Sequence, residues 1–186
     1  MIRATIDQSM SLRKLHKYIS LIVSLQLLLW TVSGIYFSFN KIENVRGEQY
    51  YKVEKAPVIV KPAVQEKLSQ ESIFAIITEQ TILTPITIEL VEEPKKGSEY
   101  RGRDLPLYKV LAENTDGEEL NIYQNPYTGE IVAIRSQQWR IWDLMWGLHI
   151  MDWVERDNID NILLKVFSFI ALFTAITGIV LFFKPK

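Results

Sequence analysis

The chain has 186 residues, a formal net charge of −1 and no cysteine. Without cysteine it can form no disulfide, iron–sulfur cluster, thiolate zinc site or cysteine nucleophile. The small net charge hides an asymmetry: residues 40–161 hold 14 Lys/Arg against 21 Asp/Glu, a net of −7, whereas Arg3, Arg13, Lys14, Lys17, Lys184 and Lys186 sit near the two ends.

After a basic segment, 1–18, comes an uncharged apolar run from Ile19 to Phe39. As a helix it would be roughly 32 Å long, about the thickness of a bilayer's hydrocarbon core. It is longer than the apolar region of a signal peptide, and no A-x-A site follows it, so it is expected to persist as an anchor. A second run, 162–183, carries one charge, Lys165, near an end from which its side chain can snorkel to water. Helices apolar on every side lie in lipid or in a large core, and a chain this size cannot bury two of them. The pattern predicts a membrane protein, a two-helix transmembrane hairpin with a water-exposed domain between its legs. The positive-inside rule places the 1–18 and 184–186 ends in the cytoplasm and the acidic middle across a bacterial inner membrane, in the periplasm. The middle has no basic stripe, so the bilayer and other proteins are expected partners and nucleic acid is not.

Residues 40–68, with Pro57 and Pro62, read as an extended linker or edge strand. Ser69 can cap a helix with apolar positions at Ile73, Phe74, Ile76 and Ile77, ending near Gln80 before Thr84-Pro85. The period then changes to two, with Ile86, Ile88 and Leu90 alternating with Thr87 and Glu89 as in a half-buried strand. A loop over Glu92–Asp104 leads to strands at Leu105–Ala112 and Glu119–Gln124. The turn Asn125-Pro126-Tyr127-Thr128-Gly129 precedes a last strand at Glu130–Arg135. The span 40–135 is therefore predicted to be an extracytoplasmic α+β domain, one helix against three or four antiparallel strands.

Residues 136–161 differ again. Trp139, Trp142, Trp146 and Trp153 concentrate four of the five tryptophans there. Trp142, Trp146, His149 and Trp153 follow helical spacing, which predicts an amphipathic helix at the bilayer surface, where tryptophan is enriched. The acidic connector Asp152–Asp160 reads as a solvated charge run, with a metal site as the alternative. Within the apolar runs, Thr31, Ser33 and Gly34, and Thr174, Thr177 and Gly178, are small enough for close helix packing in lipid. Gln26 shares a face with Trp30, Ser33 and Phe37, and its amide needs a partner. Packing within the hairpin is favoured over a homodimer.

Leu12-Arg-Lys-Leu-His-Lys-Tyr-Ile19 with Thr31-Val-Ser-Gly-Ile35, then Asn125-Pro-Tyr-Thr-Gly-Glu-Ile131, then Leu148-His149 ahead of a helix with Thr177-Gly178, resemble in order and spacing the PepSY-associated transmembrane proteins. The resemblance implies a cystatin-like PepSY domain whose closing hairpin turns at Pro126, Tyr127, Thr128 and Gly129. Larger relatives with four spans include iron-regulated membrane proteins and siderophore reductases that bind haem b; this chain has two spans and one such unit. His16 and His149, at opposite membrane boundaries, are then candidate axial ligands. About 30 Å of hydrocarbon would separate them, so one chain cannot place both on one iron. A twofold dimer would pair each with its mate. The plainer reading of both is an interfacial residue. Motifs for hydrolysis, zinc catalysis and phosphate loops are absent. The expected role is a non-catalytic one, presenting the PepSY domain to a protein or membrane complex. The alternative is haem-b electron transfer, as a dimer or a half-unit.

Overall fold

A computed structural model describes residues 12–53 and 66–183. Arg3, Asp7, Pro57, Pro62, Lys184 and Lys186, which contribute to the orientation and linker expectations, lie outside the described residues. The elements in chain order are α1 (Leu12–Phe39), α2 (Ile42–Val45), a 3₁₀ turn (Glu48–Tyr50), α3 (Gln70–Gln80), β1 (Thr84–Val91), β2 (Leu107–Glu113), β3 (Glu119–Gln124), β4 (Ile131–Arg135), α4 (Gln137–His149) and α5 (Ile162–Phe183).

The four strands form an antiparallel meander in the order β1-β2-β3-β4. One face receives α3, which begins where Ser69 Oγ accepts the Ser72 N–H at 3.3 Å. Ile73 and Ile77, one turn apart, are fully buried with Leu83, Val110, Ala112, Leu120, Ile122 and Ile134. Each such aliphatic side chain contributes about 1.5–3 kcal/mol by leaving water. Leu107, Tyr123 and Ala133 make a smaller cluster with Tyr100 and Leu105 of the 92–106 loop. At the β3–β4 turn, Asn125 Oδ1 accepts the N–H groups of Tyr127 and Thr128, and Gly129 donates to the Asn125 carbonyl at 2.9 Å. Gly129 has φ +73°, and a Cβ there would lie 2.4 Å from Ile76 Cδ1, so glycine is required for both reasons.

Three local expectations change. Residues 42–50 are helical turns rather than an extended linker, because Val45 is buried and Tyr50 joins the core under the sheet. The alternation of β1 buries little: Ile86 is 43% and Leu90 38% exposed, since β1 is an edge strand with a register shift between Pro85 and Thr87. Helix α1 already holds at Leu12, the first described residue, so Lys14, His16 and Lys17 lie inside it.

Helices α1 and α5 are both long and apolar enough to cross a membrane. They run antiparallel, with His16 opposite Thr177. Ile162 is fifteen positions from Thr177, and Thr31 is fifteen positions from His16. The last eight residues of α1, Val32–Phe39, therefore project past the start of α5, by roughly 12 Å at 1.5 Å per residue.

Helix α4 fills the space beside that projection. It runs antiparallel to α1, from a Gln138–Asn40 hydrogen bond at 3.0 Å to a Gln26–Leu148 contact at 3.3 Å. It packs along α1. It also ends at His149: Met151 turns the chain at φ +57°, and the Asp152 N–H caps the Gly147 carbonyl at 3.0 Å. Trp153 is therefore off the helical face expected for it and is 57% exposed.

Candidate functional site

The two histidines are held in the same way at opposite ends of the helical hairpin. His16 Nδ1 lies 2.8 Å from Thr177 Oγ1, and His149 Nδ1 lies 2.8 Å from Ser33 Oγ. Each hydroxyl also approaches carbonyl oxygens of its own helix: Ser33 Oγ is 2.7 Å from the Leu29 oxygen, and Thr177 Oγ1 is 2.9 Å from the Phe173 oxygen. Two oxygens this close require a proton between them, and a hydroxyl has only one. The proton shared with each imidazole must therefore come from the ring. We assign both rings as the Nδ1–H tautomer, with the lone pair on Nε2.

Their surroundings differ. His16 lies against Gly178, where a Cβ would come within 3.3 Å of the imidazole Cε1, and Ser20 Oγ is 3.4 Å from Nε2. His149 closes an aromatic ladder. Its ring stacks on Trp146 at 6.3 Å, Trp146 stacks on Trp142 at 5.7 Å, and Phe37 of α1 touches all three. Trp30 Nε1 donates to the His149 carbonyl at 2.6 Å. Burial holds the His149 pKa below the usual imidazole value, because its faces meet rings and not charges. Along α1, His16 and Ser33 are seventeen positions apart, about 26 Å at 1.5 Å per residue. A single metal cannot bridge the two rings of one chain.

The expected packing patches divide. Gln26, Ser33, Thr177 and Gly178 meet another helix, and the repeated hydroxyl–Gly–Ile pattern at Ser33 and Thr177 coincides with the two imidazole anchors. Thr31 is exposed and bonds back to the Leu27 carbonyl, and a Cβ at Gly34 would meet nothing within 4 Å. These two do not mediate packing within the chain. Thr174 Oγ1 is buried without a hydrogen-bond partner among the described residues.

A second polar cluster joins the sheet, α4 and the 150–161 connector. Asp143 is 2% exposed on α4 and pairs with Arg101 and, at 2.9 Å, with Arg156. Glu99 accepts from Arg140 Nε at 2.7 Å, from Asn121 at 2.6 Å and from the Tyr123 hydroxyl at 3.2 Å. Trp139 turns away from the ladder toward Arg135 and Arg101. In the connector, Asp152 accepts backbone N–H groups from Val154, Glu155, Asp157 and Asn158, so its oxygens organise a turn. No group of three His, Asp or Glu side chains among the described residues could hold a metal ion. The sequence signal for this cluster is Asp143 itself, a lone carboxylate in an apolar, tryptophan-rich helix.

Residues 13–186 match the family described as the PepSY-associated TM region, and the chain belongs to that family. It is a membrane protein with two apolar helices and an α+β domain between them. No curated protein and no solved structure gives a match.

Proposed function

We propose that this chain is a non-catalytic protein of the bacterial inner membrane, with both termini cytoplasmic, that holds a PepSY, cystatin-like domain in the periplasm for a protein partner or membrane complex. The outer edge of β1 supports this role. Its only strand neighbour among the described residues is β2, on one side. The other side offers backbone N–H and C=O groups, with Ile86 and Leu90 exposed beside them. An extended segment of a partner can add there as a further strand, with main-chain hydrogen bonds for affinity and these side chains for selectivity. The positive-inside rule supports the orientation, since the translocated segment is the acidic one. A photo-crosslinking residue placed at Leu90 of the full-length protein in bacterial membranes should yield a discrete adduct, reduced by Ile86→Lys. Crosslinks that map to α3 and never to β1 would overturn the edge assignment.

A second reading is haem-b electron transfer by a twofold dimer or a half-unit. The matched anchoring of His16 and His149 favours it: each ring is fixed through Nδ1 and keeps an Nε2 lone pair, the form in which imidazole ligates iron. The donor type fits haem, and ligation requires each ring to meet its mate in a second chain. When bound, the haem would supply the redox chemistry. The residues of this chain fix the tautomers and ring directions through Ser33 and Thr177. Protein expressed with ample haem and purified in detergent should then show a Soret band that His16→Ala or His149→Ala removes. A colourless wild-type protein would exclude this reading and leave the binding role standing.

A further inference from the structure

An open pocket of ≈ 240 Å³ lies where the sheet, α4 and the connector meet, lined among others by Glu99, Arg101, Arg103, Arg135, Trp139 and Asp157. Three arginines line it against two carboxylates, Glu99 and Asp157. Both Glu99 oxygens are engaged by Arg140, Asn121 and Tyr123. Arg101 is held by Asp143. Among the described residues, Arg103 and Arg135 have no carboxylate within ion-pair distance.

Arg135 is the unusual member. It is 8% exposed, yet among the described residues its guanidinium meets two backbone carbonyls, of Glu99 and Ile134, and the face of Trp139 at 4.4 Å. Burial first, and Arg103 next, pull its pKa down to about 10. Glu99 opposes that shift from beyond ion-pair distance, and its carboxylate is already shared by Arg140, Asn121 and Tyr123; a buried cation without a direct counter-charge is costly, and a bound anion would relieve the cost. Arg101 flanks the same ring at 5.6 Å, so Trp139 has two guanidinium groups against it.

The setting narrows the class of anion. Asp157, in the pocket wall, is five positions before α5. The connector between them is folded back, with Asn161 Nδ2 donating to the Ile150 carbonyl at 2.9 Å and Asp152 gathering the N–H groups of the turn. Trp139, in the pocket wall, follows Gln138, which bonds to Asn40 just past the end of α1, so the pocket lies near the end of an apolar helix long enough to cross a membrane, where lipid headgroups lie. Guanidinium groups match phosphate oxygens in bidentate geometry, and tryptophan suits the headgroup layer.

We infer that Arg101, Arg103 and Arg135, gathered around Trp139, bind the phosphate of a lipid headgroup at the junction of the domain and the hairpin. The site is independent of the histidines and of the β1 edge.

The test uses the full chain, delipidated in an uncharged detergent, with calorimetric titration by short-chain phosphatidylglycerol and, separately, by inorganic phosphate. Saturable lipid binding is expected, weakened roughly tenfold by Arg103→Gln, as follows from losing one charge-assisted contact. Arg103 is exposed and unpaired, so this variant should fold even if Arg135→Gln does not. Lipid binding that Arg103→Gln leaves unchanged, or no binding of either probe, overturns the inference. Phosphate that binds as tightly as the lipid, with the same Arg103 dependence, overturns the lipid source in favour of a soluble phosphate compound.

Discussion

The two ends of α1 are fastened differently. The end nearest the sheet is clasped by α4 through Gln26, Trp30, Ser33 and Phe37, with an aromatic ladder and hydrogen bonds to the carbonyls of Leu148 and His149. The other end meets α5 through a side-chain bond, His16 to Thr177, with Gly178 making room for the ring. The first contact joins a domain to its anchor and must resist torque. The second joins two anchors that the bilayer already holds side by side, so one polar contact can set their register.

Substitutions can separate these two joints. The largest effect is expected from Asp143→Ala. It leaves Arg101 and Arg156 without their shared carboxylate and should cost about 3–5 kcal/mol, as for other broken buried pairs. Thermal unfolding of the domain in detergent measures it, and a loss below the reach of that assay would show the junction to be solvated. Next is Gly147→Ala. A Cβ there would lie 2.8 Å from Arg156 Cγ and 2.9 Å from the Asp152 carbonyl, so the connector must move, at about 1–3 kcal/mol.

Ser33→Ala and Thr177→Ala each remove one hydroxyl–imidazole bond, with an expected loss of about 1 kcal/mol. Only Ser33→Ala should lower the unfolding temperature of the domain. Thr177→Ala should act on the pairing of α1 and α5, read from spin-label distances between them. Equal effects of both on the domain would erase the distinction between the joints. The smallest effect is that of pH. The folded His149 pKa is depressed, so the unfolded chain takes up a proton first. Stability should fall as pH drops below about 6.5 and level off below the folded value. His149→Phe should abolish that slope in denaturation curves collected across the window.

The hairpin and the meander were legible because each rests on a repeating signal: unbroken apolarity in α1 and α5, alternation in the strands, and Asn125-to-Gly129 turn chemistry. What escaped was set by tertiary contacts. The spacing of Trp142, Trp146 and His149 fits a bilayer surface and the flank of another helix equally well, and nothing local distinguishes them. Trp153 keeps the spacing, but Met151 and the Asp152 cap end the helix first. The small residues were read as a packing stripe, whereas Ser33 and Thr177 are imidazole anchors, Thr31 is exposed and Gly34 has open space where a Cβ would sit. Arg135 and Arg103 give no sequence signal, because their neighbours come from a loop, a strand and a connector far apart in the chain.

The projection of α1 past α5 has a mechanical consequence. Bilayers that are too thin or too thick for a helix are accommodated largely by tilt. Because α4 is clamped along the projecting turns, and Asn40 and Gln138 tie their far end, α1 and the domain's final helix form one stiff lever. A tilt of the anchor should therefore carry α4, and β4 that runs straight into it, along with α1.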